Sequence, residues 1–171
     1  MNNDPYIDLA RRSLETFIRT REVISVPSDA PSELTKRQAG AFVSLHKNGD
    51  LRGCIGTIAP TTGSLAEEII RNAIRAAVGD PRFPEVMPEE LPDISIKVDV
   101  MGELEDIDSA SELDIKRYGV IVRNGARMGL LLPDIDGVTS VEQQIEIARL
   151  KAGIAPDESV ELQRFEVIRH L

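Results

Sequence analysis

The chain is short of several things, and each shortage removes a class of function. Cys54 is the only cysteine among 171 residues, so no intrachain disulfide is available. With only two histidines beside it, a four-ligand structural zinc site is excluded as well. Tryptophan is absent, and two tyrosines and four phenylalanines make a poor stacking platform for bases. No run of five basic residues occurs, and 29 acidic residues against 20 basic ones give a net charge of −9. That sign argues against nucleic acid as a partner, because such binding depends on clustered Lys and Arg displacing counterions. No apolar run approaches the roughly 18 residues of a membrane span. The opening MNNDPYIDLARR lacks the apolar centre of a signal peptide, so the expected address is cytoplasmic. Neither GxxxxGK[ST] nor GxGxxG is present, and no cofactor or metal is expected.

What remains is an ordinary globular composition, 42% hydrophobic and 29% charged. It suits a single domain over 1–171 built as two subdomains. Asp4 as N-cap and Pro5 in the first turn open a helix whose apolar face is Ile7, Ala10, Leu14, Phe17 and Ile18. The Pro- and Ser-rich stretch from Val26 to Glu33 reads as a surface loop. Residues 41–58 read as a hairpin turned by Asn48-Gly49. Ser64 with Glu67 forms a capping box for a helix bearing Ala66, Ile69, Ile70, Ala73, Ile74 and Ala77, stopped by Gly79. ISIKVDV, Ile94 to Val100, alternates as a strand with one buried face.

The same order then returns. Asn124-Gly125, Gly129 and Ser140 each follow Asn48-Gly49, Gly53 and Ser64 by 76 positions. The helix opened by Ser140 and Gln143 carries Val141, Ile145, Ala148 and Ala152 and stops at Gly153, before a last strand from Glu161 to Ile168. The expected fold is α+β, with mixed sheets, helices packed on them and two interlocked subdomains. The hairpin–helix–strand unit would occur roughly over 38–106 and again over 117–170, with a cleft between the halves as a natural site.

LRGCIG, residues 51–56, is where chemistry concentrates. A two-residue turn pairs Cys54 with Val43 and Arg52 with Leu45, which places Arg52 and Cys54 on one face and His46 on the other. The second hairpin has Met128 and Leu130 at the matching positions, so the scaffold requires neither Arg nor Cys there. Two readings of Cys54 stand. It is a small buried residue of a glycine-containing strand, or a thiolate that the Arg52 guanidinium favours. In the second reading Gly53 and Gly56 admit a ligand, and Thr61, Thr62 and Ser64 at the next helix N-terminus bind its anionic group. Asp80-Pro81-Arg82-Phe83 is a post-helical turn, with Arg82 as a further anion ligand. The run Glu103, Glu105, Asp106 and Asp108 reads as a solvated edge.

LRGCIG, DPRF at 80–83, PEELP at 88–92, GLLLP at 129–133 and KAGI at 151–154 together resemble the AMMECR domain family, over nearly the whole chain. The family is named for the Alport syndrome, mental retardation, midface hypoplasia and elliptocytosis chromosomal region. The resemblance implies an α+β domain of two subdomains. It also implies protein partners, a Memo-like protein and a radical S-adenosylmethionine protein. RLKAGI departs from the family pattern: Arg149 stands near a second cysteine's usual place, and the Trp that commonly follows is missing. Two functions follow as expectations. One is a non-catalytic accessory or binding module acting with partner proteins. The alternative is an enzyme whose Arg52/Cys54 cleft acts on a small anionic substrate.

Overall fold

A computed structural model describes residues 4–171. They form two compact units, residues 4–101 with 168–171, and residues 102–167.

In the first unit, α1 (Pro5–Thr20) starts where Asp4 accepts from the Tyr6 and Ile7 amides. It buries Ile7, Ala10, Leu14 and Ile18 as the periodicity predicts, while Phe17 stays half-buried. The stretch read as loop, Val26 to Glu33, runs at its end into one short helical turn, α2 (Ser32–Thr35), which buries Leu34. The hairpin follows as β1 (Ala41–Lys47) and β2 (Asp50–Gly56), with Asn48 and Gly49 both at positive φ. Next come α3 (Leu65–Val78), a 3-10 turn over Pro88–Asp93 and β3 (Ile94–Met101). Ala41, Val43 and Leu45 of β1 and Ile94, Ile96, Val98 and Val100 of β3 point to one face, where α1 and α3 cover them. Gly79 ends α3, though in a right-handed rather than left-handed conformation.

The second unit repeats this order. Its elements are β4 (Glu105–Ile107), β5 (Gly119–Asn124), β6 (Arg127–Leu131), α4 (Val141–Ala152) and β7 (Glu161–Phe165). Val120, Val122, Leu131 and Ala148 form the centre of its core. The acidic run lies along β4, an edge strand whose Glu105 pairs with Arg164. The last strand, expected to run unbroken from Glu161 to Ile168, divides at Glu166 into β7 and β8 (Val167–His170).

The sheet orders are β2-β1-β3-β8 and β4-β7-β5-β6. The pairs β1–β2, β1–β3, β5–β6, β5–β7 and β4–β7 are all antiparallel, where mixed sheets were expected. The reason is the crossover. Each helix carries the chain past the first hairpin strand, so β3 lies beside β1, and β7 beside β5, rather than next to the strand that preceded the helix. Each sheet also takes its outermost strand from the stretch of chain following the other sheet: β4 comes after β3, and β8 after β7.

The two hairpins differ by one residue. Leu45 faces Gly53 and Val122 faces Gly129, but residues 46–52 bridge the first pair and 123–128 the second. The extra residue makes a bulge at Arg52, and beyond it the register becomes Ser44↔Cys54 rather than Val43↔Cys54. The glycines are equivalent in packing. A Cβ on Gly53 would lie 2.1 Å from the Ala76 carbonyl oxygen, and one on Gly129 would lie 1.9 Å from that of Ala148. Measured from those contacts, the Ser64 and Ser140 caps are about one helical turn out of step, so only the glycines match in three dimensions.

Both glycines hold a strand against a helix backbone that cannot yield. Gly53→Ala and Gly129→Ala are each expected to lower the free energy of unfolding by about 3 kcal/mol, measured by urea denaturation. Gly63→Ala, whose Cβ meets only the Glu67 carboxylate at 3.5 Å, should cost far less in the same measurement.

Candidate functional site

The residues around LRGCIG all belong to the first unit. The bulge gives Arg52 and Cys54 separate environments. Arg52 directs its guanidinium at the 84–90 segment. Nε and Nη2 donate to the Glu90 carboxylate at 2.9 and 3.0 Å, Nη1 to the Pro84 carbonyl at 2.8 Å, and Nη2 also to the Glu85 carbonyl at 3.1 Å. Lys47 donates to Glu90 as well, at 3.1 Å, and so does the Met87 amide at 2.8 Å. The hydrogen bond from Arg52 holds the Glu90 carboxyl down at about 2, with Met87 and Lys47 adding to it against the opposing effect of burial. Arg52 is therefore a clamp between β2 and the PEELP turn.

Cys54 lies on the face away from α3. Its Sγ is 3.2 Å from Ser44 Oγ, and its amide donates to Asp80 Oδ2 at 3.0 Å. Asp80 is buried and closes a compact turn. Arg82 donates to it from the backbone at 3.0 Å and from Nε and Nη2 at 3.0 and 2.8 Å. That side-chain bond, foremost, brings the Asp80 carboxyl to about 2. The Arg82 side chain is 53% exposed, and the Cys54 side chain raises its pKa further after Asp80 has done so. Of the two motif arginines it is thus Arg82, of the DPRF turn, whose charge interacts with Cys54.

The one-residue shift moves His46 too. Ser44 and His46 alternate on β1, so His46 shares the Cys54 face instead of opposing it. Lys97 stands directly across from Ser44 on β3, giving a cross-strand row Cys54–Ser44–Lys97. Burial, and then Lys97, lowers the His46 pKa, and its Nδ1 is buried with no hydrogen-bond partner among the described residues.

The expected anion cradle holds a carboxylate of the protein itself. Glu68, fully buried in the first turns of α3, accepts from the Thr57 hydroxyl at 2.6 Å. It also accepts from the Thr61 and Thr62 amides at 2.6 and 2.8 Å and from the hydroxyls of both threonines. Burial pushes its pKa up, but the combined donors of Thr57, Thr61 and Thr62 bring it below the usual value. Ser64 caps α3 through the Glu67 amide, and the Glu67 carboxylate reaches back to the Gly63 amide. Gly56 adds no opening, because its Cα is packed against the Phe42 ring. The sequence signal for Glu68 was available. Leu65, Glu68, Asn72 and Ala76 recur at helical spacing, and two polar residues in a buried stripe call for internal partners. Glu90 lay within PEELP with nothing to mark it as the partner of Arg52.

The family profile AMMECR1 matches residues 7–170. The chain belongs to the AMMECR1 family. A protein of Thermotoga maritima is 55% identical over 168 residues, 97% of each chain. One from Clostridium acetobutylicum is 52% identical over 98% of this chain but only 36% of its own length. In three dimensions, a crystal structure of an uncharacterized protein from Pyrococcus horikoshii matches with a TM-score of 0.90 at 33% identity, covering 96% of this chain and 88% of that one. The stretches LRGCIG, DPRF and PEELP meet in one place: the first supplies Arg52 and the Cys54 amide, the second Asp80 and the third Glu90. No helix among the described residues is long and apolar enough to cross a membrane.

Two outcomes follow. Asp80 and Glu90 have folded-state pKa values of about 2, below their ordinary 3.8 and 4.5. The stability they add is present above those ordinary values and is lost as pH falls toward 2. Each contributes up to about 2 kcal/mol, less for Asp80 because its partner Arg82 is solvated. Urea midpoints should fall steeply below pH 4.5, and Glu90→Gln should flatten that fall; an unchanged slope would overturn the assignment. Glu68→Ala strands the threonine donors and should cost about 3 kcal/mol by the same measurement.

Proposed function

We propose that this AMMECR1 domain is a non-catalytic binding module that presents the motif-bearing side of its first unit to partner proteins. The observation that carries the reading is the use of Arg52: every nitrogen of its guanidinium donates to the 84–90 segment, so it serves the shape of the surface. Leu51 beside the clamp is 39% exposed and Met87 within it 54%, and apolar side chains held on a rigid support suit protein contact. The Clostridium relative supports the same reading, because there the region similar to this chain is about a third of a longer protein. Memo-like and radical S-adenosylmethionine proteins are the partners that the family resemblance implies, and the expected setting is the cytoplasm.

One observation favours a second reading, a thiol-centred activity on a small anionic substrate. Cys54 Sγ lies 3.2 Å from Ser44 Oγ, in a row with Lys97 and within the influence of Arg82. In that case Arg82 and Lys97, rather than Arg52, would favour thiolate and attract the anion.

The readings separate experimentally. With a Memo-like protein from the same genome as partner, binding measured by calorimetry should survive Cys54→Ser and weaken at least about tenfold on Leu51→Glu with Met87→Glu. Loss of binding in Cys54→Ser, with the glutamate pair still binding, would reject the module. Iodoacetamide alkylation of the folded protein should show an ordinary thiol pH profile; a midpoint about two units below the usual thiol value would support the second reading instead.

A further inference from the structure

Away from the motifs, the first unit contains a cavity of about 360 Å³ lined by Tyr6, Glu33, Arg37, Val100, Ile168 and His170, with Asp4 and Pro5 at its edge. Its floor is rigid. The His170 ring stacks on Tyr6 with centroids 3.8 Å apart, and its Nδ1 is 2.7 Å from Asp4 Oδ2. Asp4 is fixed in turn by accepting the Tyr6 and Ile7 amides at the start of α1. Pro5, Val100 and Ile168 supply an apolar wall, and Ile168 is largely exposed toward it.

The rim carries two opposite charges that do not neutralise each other. Glu33 and Arg37 are four residues apart and both line the cavity, yet neither side chain has a hydrogen-bond or ion-pair partner among the described residues. Some arginines of the surface are matched to carboxylates, as in Arg21–Glu85, Arg117–Glu166 and Arg127–Glu158, but these two rim charges face one cavity without pairing. Both rim charges act on the Tyr6 hydroxyl. Burial raises its pKa, Glu33 raises it further and Arg37 opposes.

We propose that this cavity binds a small zwitterion with an apolar substituent, of the α-amino-acid class. Arg37 receives the carboxylate through its planar fork, Glu33 receives the ammonium, and the substituent lies against Val100 and Ile168. A simple anion would leave Glu33 facing a like charge, and a simple cation would do the same to Arg37. A ligand carrying both charges meets both ends of the rim at once. The site shares no residue with LRGCIG, DPRF or PEELP and stands independently of the binding-module reading.

The test is calorimetric titration of the full chain with L-leucine, 4-methylpentanoate and 3-methylbutan-1-amine, three ligands with one hydrocarbon body and different charged ends. Leucine should bind saturably, and each single-charge analogue at least about tenfold more weakly. Arg37→Gln should abolish the preference for leucine over the amine, and Glu33→Gln the preference for leucine over the acid. Both variants should keep the parent melting temperature, because neither side chain has a described partner to lose. Equal affinity for leucine and an analogue would overturn the proposal. So would leucine binding unchanged in both variants, or no saturable binding of leucine up to about 10 mM.

Discussion

One additional residue in β2 organises the whole motif region. Between the leucine that faces Gly53 and the glycine itself, the first hairpin has to absorb a residue that the second lacks, and it does so at Arg52. A bulge redirects a side chain and reverses the facing of everything beyond it. Here it aims Arg52 at Glu90, lets Gly53 meet the α3 backbone and turns Cys54 away from α3 toward Ser44. Without the bulge, Cys54 would face the helix and Gly53 would face away from it. The glycine, the arginine and the cysteine are thus consequences of a single register change.

The polar groups that follow are mostly matched from within. Glu68 collects the amides and hydroxyls of Thr61 and Thr62, and Asp80 joins the Cys54 amide to Arg82. Buried carboxylates of this kind are costly to leave unmatched, and each therefore fixes the segments that supply its donors. Together they tie β2, the loop before α3 and the turn after it into a rigid support. Glu33 and Arg37 are not matched in this way, and both stand at the rim of a cavity.

Much of the fold was legible in the sequence for local reasons. Asp4-Pro5, Asn48-Gly49, Ser64 and Gly153 act within a few residues of themselves, and each does what its chemistry predicts. The site was legible only in part. A two-residue turn correctly pairs Lys47 with Asp50, but the count from it cannot foresee the bulge that brings Gly53 against Ala76. The Arg52–Glu90 clamp joins residues 38 apart, and no period or motif spacing connects them. The threonines near the α3 start did signal an anion, but the anion is a side chain of that same helix. Likewise, the 76-residue offset found equivalent glycines, while the serine caps that share it are one turn apart in their helices.

The exchange of outer strands has a consequence for synthesis. The first sheet receives β8 only from residues 167–170, after every strand of the second sheet has been made. Until then β3 is an open edge, with unpaired amides and carbonyls free to template a neighbouring nascent chain. Residues 167–170 therefore act as a seal on the first sheet, and a molecule in which they are not yet docked keeps its core but is adhesive along one border.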